Sequence, residues 1–229
     1  MNILTKSIKF RNNINVNFKL KHEILPILIP GCVLLTSIQS TLGFYLSPSP
    51  IKHCSIYFGN NLQKYLKDLK CTYGTEMFKI KINDYINSVN DFDNYVIDFN
   101  DRGLTMISVN DFLINKDIIY ILYYTKLGKI NYNIMLEASK YICKFIEIKY
   151  SILNNNYCFS LLAIVFQTID YDFKPKKFLF LNKWYTNSIS FLNSNNFICV
   201  YKYKNGKTIK YDYSNFMKFD NLFKNESIN

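Results

Sequence analysis

Histidine is nearly absent from this chain, which holds two in 229 residues, His22 and His53. A protein zinc site draws its ligands from closely spaced His and Cys. The cysteines, Cys32, Cys54, Cys71, Cys143, Cys158 and Cys199, stand far apart with no C-x-x-C pair among them. This pattern argues against a metal site and against the dense disulfide framework of a small secreted domain. No secretory-type leader is read ahead of them, so reduced thiols in a cytosol are expected. Long uninterrupted apolar runs are missing too. The most apolar region, residues 24–46, is broken by Pro26, Pro30, Gly31 and Gly43. It falls short of the ~20 consecutive apolar residues that cross a bilayer, and it reads as buried strand and loop.

Acidic residues are scarce as well, 17 against 28 Lys and Arg, for a formal charge of +11. Such a balance invites a polyanion partner. The lysines, however, are scattered singly, with Lys174-Pro175-Lys176-Lys177 the longest basic run, and no zinc-knuckle, helix-turn-helix or RNP-like pattern accompanies them. Specific nucleic-acid binding is therefore not expected, and the charge leaves room only for peripheral contact with anionic surfaces. What the chain does have is apolar and aromatic mass, 49% and 17% of residues. That is enough to fill one core, and a single domain over residues 1–229 is expected.

Read in order, residues 1–25 form a basic, Asn-rich extension with weak alternation at Ile8-Lys9-Phe10 and Ile14 to Leu20, suited to an edge strand or arm. His22, between Lys21 and Glu23, reads as a solvated residue. Gly31 to Ile38 has the short apolar run of a buried strand. Ser47-Pro48-Ser49-Pro50 makes a loop, and Ile51 to Gly59 is rich in β formers. Alternation puts His53, Ser55 and Tyr57 on one face of that strand and Cys54, Ile56 and Phe58 on the other. Residues 60–94 read as a mixed insertion, with a charged helix near 62–69 and strand alternation over Met77-Phe78-Lys79-Ile80-Lys81-Ile82. Further strands are expected at 94–99, 104–109 and 118–124, with a capped turn at 110–113 and a helix over 132–148. Beyond residue 170 the chain reads as a β-rich extension. Its Asn205-Gly206, between two alternating runs, carries the signature of a type I′ hairpin.

Three residues stand out chemically. Cys158 opens the apolar run Tyr157 to Phe166 just after Asn154-Asn155-Asn156. It therefore falls in the first turn of a helix, where the dipole lowers a thiol pKa and free backbone N–H groups can hold an oxyanion. His53 lies in a core strand. Asp98, inside the apolar strand at 94–99, must find a partner, because a buried charge without one is costly; His53 is one candidate. A thiol, an imidazole to deprotonate it and an acid to orient the imidazole are the set a cysteine hydrolase needs.

Local wording adds to this set. Gly31-Cys32-Val33-Leu34-Leu35, then Lys52-His53-Cys54-Ser55-Ile56-Tyr57-Phe58-Gly59, then Val96-Ile97-Asp98, then Asn156-Tyr157-Cys158-Phe159-Ser160-Leu161-Leu162-Ala163 resemble the circularly permuted branch of the NlpC-type papain-like superfamily. The wording is nearest that of its poxviral member. In this branch the histidine strand precedes the cysteine helix. The resemblance implies an α+β, permuted papain-like fold with an antiparallel sheet packed against the helix bearing the cysteine. It spans residues 28–170, with 60–94 inserted. By it Cys158 is the nucleophile, His53 the general base and Asp98 the orienting acid. That position is commonly glutamate in the branch, and Glu76 in the insertion is the alternative. The implied activity is a thiol hydrolase or acyltransferase acting on an amide, thioester or ester in a peptide, isopeptide or acyl-lipid, without metal or organic cofactor. The implied setting is a viral accessory or host-interaction factor in the host cytoplasm, with virion association open. The alternative is a catalytically inactive papain-like interaction module.

Overall fold

A computed structural model of the chain describes residues 20–37, 51–114, 116–151, 156–180, 183–204 and 206–210. The expected N-terminal arm, the 47–50 loop and the chain beyond 210 fall outside these residues. No described helix is long and apolar enough to cross a membrane.

The β-rich stretches assemble into one antiparallel sheet. Its strands are β1 (Val33–Ser37), β2 (His53–Gly59), β3 (Tyr95–Asn100), β4 (Gly103–Ser108), β5 (Ile118–Lys126), β6 (Lys129–Ile130), β9 (Phe197–Lys204) and β10 (Lys207–Lys210). A separate two-stranded ribbon pairs β7 (Phe178–Phe180) with β8 (Lys183–Tyr185). The main order is β10-β9-β5-β1-β2-β3-β4, with β6 folding back on β5. β1, β2 and β3 are apolar on both faces and buried nearly throughout, as central strands covered on both sides must be.

The segment expected as an extension past residue 170 joins this sheet. β9 pairs along β5 from Ile118↔Lys204 to Tyr124↔Phe197. It closes a long edge that would otherwise present unpaired backbone groups. β10 then forms the outer edge, wholly exposed and carrying Lys207 and Lys210, charges that discourage further strand addition. Lys204 pairs with Lys207, so two residues connect these strands; the turn type rests on Asn205, outside the described residues.

The helices are α1 (Leu62–Thr72), α2 (Glu76–Ser88), the short α3 (Val109–Phe112), α4 (Tyr132–Tyr141), α5 (Cys158–Ile169) and α6 (Ser188–Leu192). A 3-10 turn, Ile142–Phe145, continues α4. Helix α5 buries eight of its residues and packs on β2 and β3, with α4 beside it. Below its C-terminus Tyr124 stacks on Phe166 at 5.1 Å, and Phe173, Phe191 and Phe197 close an aromatic cluster around them. Asp170, buried at the end of α5, is held by Lys126 Nζ at 2.9 Å and by the Tyr124 hydroxyl at 2.9 Å.

The strand expected over 77–82 is instead the first half of α2. Thr75 caps it by accepting the Phe78 N–H at 3.1 Å. Its buried residues, Phe78, Ile82 and Ile86, recur every four positions, while Met77 and Ile80 face solvent. They pack against Leu62, Leu66 and Leu69 of α1. This helical pair is pinned to the body. Tyr85 donates its hydroxyl proton to the Leu104 carbonyl, Thr75 Oγ1 donates to Glu147 Oε1 at 2.9 Å, and Tyr65 donates to the Lys140 carbonyl at 2.9 Å.

Gly31, just before β1, has φ +86° and lies so close to α4 that a Cβ there would sit 1.7 Å from the Met135 carbonyl oxygen. Gly128, in the β5–β6 turn at φ +77°, has open space around it. Gly31→Ala should therefore cost about 3 kcal/mol or more, through clash added to left-handed strain. Gly128→Ala should cost about 1–2 kcal/mol, from strain alone. Urea denaturation midpoints of the two variants check the contrast.

Candidate active site

Helix α5 begins at Cys158 because Tyr157 is fixed from outside the helix. The Tyr157 ring hydroxyl donates to the Thr186 carbonyl at 2.8 Å and accepts the Thr186 N–H at 2.8 Å. Its backbone N–H donates to Ser160 Oγ at 3.1 Å. The first helical hydrogen bond runs from the Leu161 N–H to the Tyr157 carbonyl at 2.9 Å. Ser160 thus makes an arm of a capping box at this end, and Cys158, the first helical residue, lies in the partial positive charge of the first turn.

The strand β2 supplies the imidazole and β3 the carboxylate. Ser55 pairs with Asp98 across β2–β3, and Asp98 pairs with Thr105 across β3–β4. His53, two residues before Ser55 on the same face, is thus a diagonal neighbour of Asp98. His53 Nε2 is bonded to Asp98 Oδ1. Ser55 Oγ donates to the same oxygen at 2.5 Å, and Asn100 Nδ2 donates to Asp98 Oδ2 at 3.0 Å. Asn100 is itself steadied by Thr105 Oγ1 at 3.2 Å. The carboxylate is buried, with 7% of its side chain exposed, yet both oxygens are satisfied. The shorter aspartate therefore reaches the ring. Glu76, the alternative, sits at the start of α2 with 84% of its side chain exposed and pairs with Lys79 at 2.9 Å.

Cys158 completes the group. It stands at the start of α5, which packs on β2, near enough to His53 for the two charges to act on each other. With Nε2 engaged by Asp98, Nδ1 is the ring nitrogen left for the sulfur. Burial pushes the Cys158 thiol up, but the hydrogen bonds from Cys54 and the charge of His53 outweigh it and hold the thiol well below its ordinary range. Burial likewise opposes a charged ring at His53, and the neighbouring Cys158 and Asp98 overcome it, raising the imidazole to about 10. Asp98 is lowered: burial works against its charge, and His53, Ser55 and Asn100 more than compensate. All three shifts favour the charged thiolate–imidazolium–carboxylate arrangement over the neutral one. His53 keeps 24% of its side chain exposed and Cys158 only 4% of its surface.

The strand period already put Ser55 on the face of His53, and Asn100 follows Asp98 at the same spacing, so two of the residues that support Asp98 were within reach of an alternation argument. Cys54 was not, because alternation sends it to the opposite face of β2. A cleft of about 680 Å³ opens between α2, the β3–β4 turn and residues 146–150, with Tyr85, Arg102, Ile148 and Tyr150 among its lining. The Tyr150 ring lies tilted against Phe99 with centroids 5.4 Å apart, and burial, then the charge of Cys158, push its hydroxyl up to about 12. Among the described residues no cluster of His, Cys, Asp or Glu could hold a metal ion.

A family model described as permuted papain-like amidase enzyme, YaeF/YiiX, C92 family, matches residues 28–207. The chain belongs to that family. Membership carries a papain-like fold and a cysteine-hydrolase type of chemistry on amides, in agreement with the α+β architecture and antiparallel sheet above. The match runs past residue 170 to 207, so it includes β9 of the main sheet, which the earlier boundary left out. No curated protein and no solved structure matched the chain.

With only two histidines, His53 can be followed alone by NMR. It should titrate near pH 10, and its pKa should fall in Cys158→Ala and in Asp98→Asn, since each removes an anion. Because its folded pKa lies above the unfolded value of about 6.5, its contribution to stability is fully present below about pH 6.5 and is lost as pH rises through 10. Thermal melts across that interval check the sign.

Proposed function

We propose that the protein is a thiol amidase or acyltransferase that works through an acyl-enzyme on Cys158. The observation that carries this reading is a buried Asp98, satisfied at both oxygens and hydrogen-bonded to His53, beside a cysteine at a helix start whose thiol the imidazole charge lowers.

In this reading the Cys158 thiolate attacks the carbonyl carbon of an amide, thioester or ester, forming the C–S bond as the oxygen takes up negative charge. The N–H groups in the first turn of α5 stabilise that oxyanion. The His53 imidazolium then gives its proton to the leaving amine, thiol or alcohol as the scissile bond breaks. Water, or an acceptor amine or alcohol, attacks the thioester next. His53 takes the proton of this second nucleophile, the C–S bond breaks and the thiolate returns. Asp98 stays ionised throughout and, held by Ser55 and Asn100, prevents the ring from turning away. The substrate in this reading is a peptide, isopeptide or acyl-lipid, and the cleft lined by Tyr85, Arg102 and Tyr150 is the candidate surface to hold part of it. The poxviral wording of the His53 and Cys158 segments supports an accessory factor acting in a host cytoplasm, and the positive charge supports contact with anionic surfaces.

The burial of Cys158, 4% exposed, favours a second reading, a papain-like module that binds its partner without cleaving it. Activated thioesters and aminocoumarin amides of acetyl, long-chain acyl and short peptidyl groups separate the two. The expected outcome is an acyl adduct on the Cys158 peptide by mass spectrometry, absent in Cys158→Ala and formed about 10²–10⁴-fold more slowly in His53→Ala. A folded wild-type protein that acquires no adduct from any donor leaves the binding module.

A further inference from the structure

Lysines and apolar side chains come together, without acids, on the β7–β8 ribbon, which the reaction above does not use. From Phe173 to Ser188 the chain carries Lys174, Lys176, Lys177 and Lys183 and no Asp or Glu. Leu179 pairs with Trp184 across the ribbon, so the two side chains lie side by side on one face. That face looks outward: Leu179 is 60% exposed and Trp184 59%. Phe178 and Tyr185, the preceding pair, fall on the other face and are half-buried. There the Tyr185 ring lies 6.0 Å from that of Tyr157.

Both ends of the ribbon are fastened. Ser190 Oγ of α6 donates to the Lys176 carbonyl at 2.5 Å, and the Thr186 backbone exchanges two hydrogen bonds with the Tyr157 hydroxyl. The apolar pair is therefore held out on a fixed base next to the start of α5. Lys174, Lys176 and Lys177 are exposed, and none of them is ion-paired with a described carboxylate. Lys176 Nζ lies over the Phe178 ring at 5.6 Å, which keeps its charge on the ribbon.

We propose that this ribbon docks the protein on an anionic bilayer, with Leu179 and Trp184 entering the boundary between headgroups and acyl chains and the lysines lying among the acidic headgroups. The residue types suit that boundary. Leucine leaves water, the indole keeps its N–H at headgroup level, and lysine stems let the ammonium groups reach back to the phosphates. A second copy of this chain fits worse, because pairing two ribbons would bring like charges together. A soluble acidic polymer would satisfy the lysines but leave the apolar pair in water. The docking does not depend on Cys158 being the nucleophile, and its failure leaves the acyl-enzyme reading standing.

Trp184 is the single tryptophan of the chain, so its emission reports on the ribbon directly. The test titrates the full chain with phosphatidylcholine vesicles containing either no phosphatidylserine or about 30 mol% of it, with and without bromine on the acyl chains. On the anionic vesicles the emission should shift to the blue and the bromines should quench it, and neutral vesicles should bind roughly 100-fold more weakly. Leu179→Ser should weaken partitioning about tenfold, and Lys176→Gln together with Lys177→Gln about 25-fold. These side chains are exposed, so the variants should melt where the wild type does, and Cys158→Ala should bind as the wild type does. Binding with unshifted and unquenched Trp184 emission, or binding indifferent to Leu179→Ser, overturns the role of the ribbon, since charge alone then holds the protein. A blue shift of the same size with soluble polyglutamate assigns the ribbon to an acidic protein partner and overturns the bilayer. Absence of binding to both kinds of vesicle overturns the docking outright.

Discussion

A carboxylate placed inside an apolar sheet sets the terms for everything around it. Asp98 is flanked on β3 by residues that are fully buried, Ile97 and Phe99. Stripping one partner from a buried charge costs about 3–5 kcal/mol, so the register of β2, β3 and β4 has to bring donors to both oxygens. Ser55 and His53 come from one neighbouring strand, and Thr105 on the other steadies Asn100. A slip of one residue on β2 would turn Ser55 and His53 to the opposite face and leave the charge exposed to apolar neighbours. The requirement that fixes the strand pairing is thus the same one that orients the imidazole.

The cysteines illustrate how environment separates chemically identical groups. Cys32 and Cys143 are as buried as Cys158, and burial alone raises them, Cys32 to about 12. Cys158 meets the same desolvation but also a helix start, an imidazole and two donors from Cys54, and its balance reverses. Burial does not silence a thiol when hydrogen bonds to the charged form outweigh it. It makes those bonds stronger, because little water competes for them.

Much of this was readable along the chain. The strands carrying His53 and Asp98, the helix opening at Cys158 and the strands around Asn205-Gly206 follow from periodicity and turn chemistry, and they appear where those signals put them. The first turns of α2 did not follow. Lys79-Ile80-Lys81-Ile82 alternates as a strand does, and only Thr75 as a cap and the four-residue recurrence of Phe78, Ile82 and Ile86 betray the helix. That recurrence becomes decisive when α1 lies alongside to bury it. The place of β9 was equally hidden, because nothing in Phe197–Lys204 states that its partner is β5, more than seventy residues earlier.

The residue types of the site, their order and their local elements were determined by sequence alone, since a helix start, a strand and a buried acid each leave a short-range mark. Which acid reaches the ring only the tertiary structure decided. Asp98 and Glu76 were both carboxylates downstream of His53, and cross-strand register brings one to the imidazole and leaves the other in solvent. The thiol and the imidazole come together because α5 packs on β2, a contact between segments about a hundred residues apart that no local pattern encodes.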